Sequence, residues 1–153
     1  MSKEQRRNGA KGMSLIVKTI TRLTVGLILL FGVYIVLHGH LSPGGGFAGG
    51  VIIALSFVHL MLAFGKEEAF KKVSEPVLSF FESVGALLFL GIALAGLSAG
   101  YFFLNFLPKG KSFELASAGI IPFCNIAICF KVGAGLFAIF VALVLLTVDV
   151  EKK

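Results

Sequence analysis

Three ionisable side chains interrupt otherwise apolar runs of this chain: His59, Glu82 and Lys131. Such groups are costly at membrane depth, so they serve ion or proton movement or find a partner there. Lys131 stands among Cys129, Phe130, Val132 and Gly133. An ammonium in that setting requires a carboxylate, carbonyls or water, because hydrocarbon supplies none of them. A subunit-interface salt bridge would meet the need as well as an ion path would. Asn125, within two turns of Lys131, offers a neutral polar lining. His59 and Glu82 each lie five residues from the end of an apolar run, about 8 Å in by helical rise. A His59–Glu82 pair is therefore expected, with simple hydrogen bonding near the headgroups as the plainer alternative. His38 and His40 flank a glycine-rich turn. They either hydrogen-bond locally or titrate at a water-filled entrance.

These side chains have to be positioned by membrane helices. The 153 residues are 57% hydrophobic and 14% charged, against roughly 45–50% and 25% in soluble domains. That surplus of apolar side chains implies a lipid-facing surface. The expected fold is all-α: a bundle of about four transmembrane helices over 14–150, with spans near 15–38, 46–64, 77–107 and 123–148. A basic tail (1–13) precedes the bundle, and a short charged tail (149–153) follows it. Each span meets or approaches the ~20 residues that cross a bilayer. Pro43 and its neighbouring glycines end the first span and reverse the chain. Ser74 and Pro76 suit the start of the third. In that third span, Gly91, Ala95 and Ala99, and Gly96 with Gly100, form rows of small residues that read as a helix-packing face.

Basic residues set the orientation. The first tail with the inner end of the first span (Lys18, Arg22), the 65–75 loop and the last tail together hold eleven of the fourteen Lys and Arg, while the opposite loops hold Lys109 and Lys111. The positive-inside rule then places both termini in the cytoplasm of a multi-pass cell-membrane protein.

Several function classes drop out. The net charge is +6, and Lys3, Arg6, Arg7, Lys11, Lys18 and Arg22 crowd the start of the chain without interleaved stacking aromatics, which argues against nucleic acid. The glycine-rich turn lacks the Gly-Lys-Ser/Thr ending of a phosphate loop. The first apolar run is too long and too bulky for a cleaved leader. Cys124 and Cys129 are five apart and point about 140° away from each other on a helix, which disfavours a disulfide or a shared metal. No nucleophile–base pair, metal cluster or cofactor fingerprint is present, so no catalytic, cofactor or metal site is expected in this chain.

The segment Gly39-His40-Leu-Ser-Pro43-Gly44-Gly45-Gly46-Phe47-Ala-Gly49-Gly50 resembles the hallmark of the B subunit of multisubunit Na⁺/H⁺ antiporters of the Mrp or Mnh type. Thr21-Arg22 and the Phe31-Gly32-x-Tyr34 stretch are similar too, as is the four-span layout over about 14–150. In the last span, Pro122-Phe-Cys-Asn125 through Lys131-Val-Gly133 looks more like the corresponding subunit of archaeal membrane-bound hydrogenase or sulfur-reducing complexes. The resemblance implies a small, non-catalytic subunit that contributes to Na⁺ translocation beside larger proton-pumping partners. Its expected partners are other membrane subunits, hydrogenase or sulfur-reductase subunits, Na⁺, H⁺ and lipid. A purely structural membrane scaffold is the alternative.

Overall fold

Long apolar runs in lipid must satisfy every backbone N–H and C=O internally, and an α-helix does so within one segment. The computed structural model describes residues 13–65, 75–111 and 117–151, and its described elements are helices: α1 (Leu15–Leu37), α2 (Gly45–Phe64), α3 (Glu75–Ser98) and α4 (Ile121–Glu151). All four are long and apolar enough to cross a membrane. Most of the basic tail and most of the 65–75 loop lie outside the described residues.

Several hydroxyls inside the spans are satisfied by their own helices. Thr19 donates to the Leu15 carbonyl at 3.0 Å and Thr24 to that of Ile20 at 2.6 Å. The fully buried Ser56 donates to Ile53 at 2.6 Å. Such back-bonding lets a polar side chain sit at membrane depth without an orphaned donor.

α1 packs on α2, α2 on α4 and α4 on α3, with a lesser contact between α1 and α4. The last helix is thus wedged between the second and the third. A core of Ala54, Met61, Leu78, Ala134, Phe137 and Val141 fills the junction of α2, α3 and α4. The row is open: only 17–33% of each span's apolar window is buried within the chain. Leu23, Leu30 and Leu87 are each about two-thirds exposed or more (72%, 69% and 67%). That apolar surface is meant for lipid or for other membrane chains.

Two element boundaries differ from the sequence expectation. The third helix ends at Ser98 rather than near 107. Gly100 (φ 130°) and Phe103 (φ 58°) turn the chain, and Phe103 folds back onto Phe89, their ring centroids 5.1 Å apart. The run stays apolar past Ser98, so hydropathy alone carried the span too far. The fourth helix starts earlier, with Pro122 in its first turn, where no N–H is needed. It continues to Glu151, so most of the expected charged tail is helical.

The small-residue rows of α3 divide within this chain. Gly91 and Gly100 have no atom within 4 Å of where a Cβ would stand. The row member Gly96 is buried against the backbone of Phe103 and Leu104 in the folded-back segment, while Gly85, outside the rows, brings α3 against α4, its Cβ position lying 2.7 Å from both the Ala127 carbonyl oxygen and the Lys131 backbone nitrogen. A four-residue spacing fixes a face of a helix but not which neighbour it meets.

Candidate functional site

Two polar constellations stand out. The first lies where the turn between α1 and α2 meets the start of α4. Gly44 and Gly45 adopt φ of 138° and 73°, which side chains strongly resist, and so the chain reverses within a few residues. Gly44 cannot cap α2 with a side chain, leaving N–H groups of its first turn without intrahelical partners. Asn125 on α4 supplies the missing acceptor: Gly46 N–H donates to Asn125 Oδ1 at 3.2 Å. Three glycines close around this side chain. A Cβ on Gly39 would lie 2.6 Å from Asn125 Nδ2, one on Gly45 3.1 Å from Oδ1, and one on Gly46 would overlap the Asn125 backbone. Nδ2 is itself buried and has no hydrogen-bond partner among the described residues.

The histidines of this turn divide. His38 ends α1, its ring stacked on Tyr34 at 4.1 Å and its Nδ1 3.0 Å from the Tyr34 carbonyl oxygen. Ser42 closes the turn through its N–H and Oγ, both donating to the His38 carbonyl. His40 is half-buried within the same turn. The family-motif residues Gly39, Gly44, Gly45, Gly46, Gly49 and Gly50 thus form packing surfaces, with Gly49 against Val36 and Gly32 of α1 and Gly50 against Cys129 and Val132 of α4. Pro43 and Phe47 are exposed.

The second constellation is an ion pair in the spans. Lys131 Nζ donates to Glu82 Oε1 at 2.5 Å, joining α4 to α3. Glu82 sits about 10 Å along α3 from its start, and Lys131 about 15 Å along α4, by rise per residue. Both side chains remain open, 39% exposed for Glu82 and 50% for Lys131.

The expected His59–Glu82 pair is not formed. His59 lies nine residues from Gly50, and Gly50 faces α4. At 100° per residue that is half a turn, so His59 points away from the side on which α3 lies. Because α4 separates α2 from α3, Glu82 meets Lys131 instead. Equal depth was legible in the chain; the order of the helices was not. Gly85 went unremarked in the sequence, yet it lets α3 approach α4 closely one turn beyond Glu82. A lone glycine in an apolar run was its only signal.

Both cysteines are free, Cys129 buried and Cys124 partly so. No group of three or more His, Cys, Asp or Glu capable of holding a metal occurs among the described residues.

Comparison with known proteins gives a consistent result. Residues 16–138 match the family model described as a domain related to the MnhB subunit of Na⁺/H⁺ antiporters. An uncharacterized protein of Methanocaldococcus jannaschii is 40% identical over 119 residues, covering 72% of this chain and 44% of that protein. The Staphylococcus aureus protein named as antiporter subunit mnhB2 is 40% identical over 63 residues, covering 41% of this chain and 45% of that one. The matches thus span less than half the length of these two relatives. Among solved structures, a chain of the membrane-bound sulfane sulfur reductase, an archaeal respiratory membrane complex, superposes with a TM-score of 0.72 at 31% identity. That match covers 86% of this chain and 60% of the other.

Proposed function

Because the chain belongs to the family of domains related to the MnhB subunit of Na⁺/H⁺ antiporters, we propose that it is a small, non-catalytic membrane subunit of a multisubunit cation/proton antiporter module. In this reading it contributes to Na⁺ translocation within a cell-membrane complex of the hydrogenase or sulfur-reductase kind. In the same reading both termini face the cytoplasm, supported by the excess of Lys and Arg on that side under the positive-inside rule.

The observation that carries the reading is the half-exposed Glu82–Lys131 pair inside two spans. A charge pair kept at that depth has a use beyond folding, since apolar residues of similar size would hold two helices together as well. Glu82 Oε2 remains for a cation, while Lys131 neutralises the carboxylate between passages and so keeps the site from trapping its ion. The chain's part in transport is partial: among the described residues the four helices form one open row, without the paired repeats that alternate access by themselves.

The test is Na⁺-dependent transport by the purified complex in proteoliposomes, with Lys131→Leu compared against the unaltered chain. Transport should fall while the complex stays assembled. Unchanged transport in an intact complex removes Lys131 from the path. The second reading, a structural scaffold, draws on the Asn125–Gly46 bond and the glycines around it, which explain the glycine-rich turn by packing alone. It expects Lys131→Leu to alter assembly and nothing else.

A further inference from the structure

The Glu82–Lys131 pair also has an uncovered side. Lys131 uses one of its three N–H donors on Glu82 Oε1 and keeps half of its side-chain surface open. Beside it lies a cleft of about 350 Å³, walled by Ala86, Phe89, Leu90 and Ala93 of α3 and by Phe102 and Phe103 of the folded-back segment, with Lys131 on its α4 wall. Except for Lys131 this lining is apolar.

Lipid is a poor occupant. Acyl chains present no acceptor to an ammonium, and the pair holds this one about 10–15 Å inside its two spans, away from the headgroups. Water alone would leave the apolar walls of the cleft wet. A protein helix satisfies both requirements: its apolar side chains fill the cleft while one acceptor side chain at matching depth meets the open N–H groups.

We infer that the α3–α4 face bearing Lys131 and the Leu90 cleft docks a transmembrane helix of a different subunit, one that presents a hydrogen-bond acceptor side chain to Lys131. The inference rests on the reading that this chain works inside a membrane complex, and it specifies which face makes the contact and through what chemistry. It assigns Lys131 a partner on each side, Glu82 within the chain and an acceptor across the interface.

The experiment places the photocrosslinker p-benzoylphenylalanine at position 90, where Leu90 is 50% exposed, in the full complex in native membranes. Irradiation should join this chain to a different protein subunit. In a Lys131→Leu background the adduct should fall about threefold, the average worth of one interhelical polar contact in a membrane. Lys131→Arg keeps the donors and should retain the adduct. An adduct with lipid alone, or only with a second copy of this chain, would overturn the inference, as would a protein adduct indifferent to Lys131→Leu. Blue-native electrophoresis of the same membranes separates the two failures. A large complex with a lipid-only adduct sinks this inference alone, whereas a chain running by itself sinks the functional reading too.

Discussion

Replacing Gly46 by alanine tests the closest approach in the bundle. The new methyl would overlap the Asn125 carbonyl oxygen and lie 2.8 Å from Asn125 Cα and 2.9 Å from its carbonyl carbon. These are backbone atoms of α4, so no rotamer change relieves the clash. Restoring carbon–carbon contact to about 3.5 Å parts the two helices by roughly 0.7 Å or more. The Gly46 N–H to Asn125 Oδ1 bond, 3.2 Å long, is then stretched beyond useful geometry. Overpacking costs about 1–3 kcal/mol, and loss of an N-cap adds about 1 kcal/mol. Alanine's better helix propensity returns at most about 1 kcal/mol. The net expectation is a loss of roughly 1–3 kcal/mol, read as about 2–4 °C of melting temperature for each kcal/mol in a chain of this size. Cys129 provides the assay. It is 7% exposed, and its backbone lies against Gly50, so a thiol-reactive fluorogenic maleimide follows the parting of α2 from α4 on heating in detergent. Gly91→Ala is the control, since nothing stands within 4 Å of its added methyl, and it should melt at or slightly above the unaltered protein. If Gly46→Ala melts as high as Gly91→Ala, the close contact between α2 and α4 is wrong.

Asn125→Ala should lower the melting temperature through loss of about 1 kcal/mol of capping; Asn125→Asp, which keeps an acceptor at the positive end of α2, should recover most of it. Lys131→Leu leaves the Glu82 carboxylate at membrane depth without its partner, whereas Glu82→Leu combined with Lys131→Leu removes both charges. The double variant should therefore be recovered from membranes in higher yield than the single one, and the reverse order would deny the pair any mutual compensation. Gly85→Ala, whose methyl meets the Ala127 carbonyl oxygen and the Lys131 backbone nitrogen at 2.7 Å, should destabilise by about 1–3 kcal/mol. The same thiol assay would register this as a downward shift comparable to that of Gly46→Ala.

Much of the architecture was legible in the order of residues because lipid imposes so simple a rule. A run that cannot hydrogen-bond outward must be helical, and its length follows from bilayer thickness. Hence α1 and α2 lie within a residue of their expected bounds. The third span was overrun because the chain stays apolar past Ser98, where Gly100 and Phe103 turn it. Hydropathy measures affinity for lipid and is blind to a turn made of apolar residues. The glycine-rich turn was likewise recognisable as a reversal, but nothing in its local pattern pointed to Asn125, seventy-nine residues beyond Gly46, as the cap of α2.

The residue order alone determined the number of membrane helices and the identity of the few polar groups embedded in them, because burial in hydrocarbon penalises each residue by type and position along its own helix. Which of those groups meet was decided by the tertiary arrangement. α4 lies between α2 and α3, and that gives Glu82 to Lys131 rather than to His59. Side-by-side order of helices depends on where backbones can approach most closely, here at Gly46, Gly49, Gly50 and Gly85, and such fits are relations between distant residues that no local run of sequence encodes.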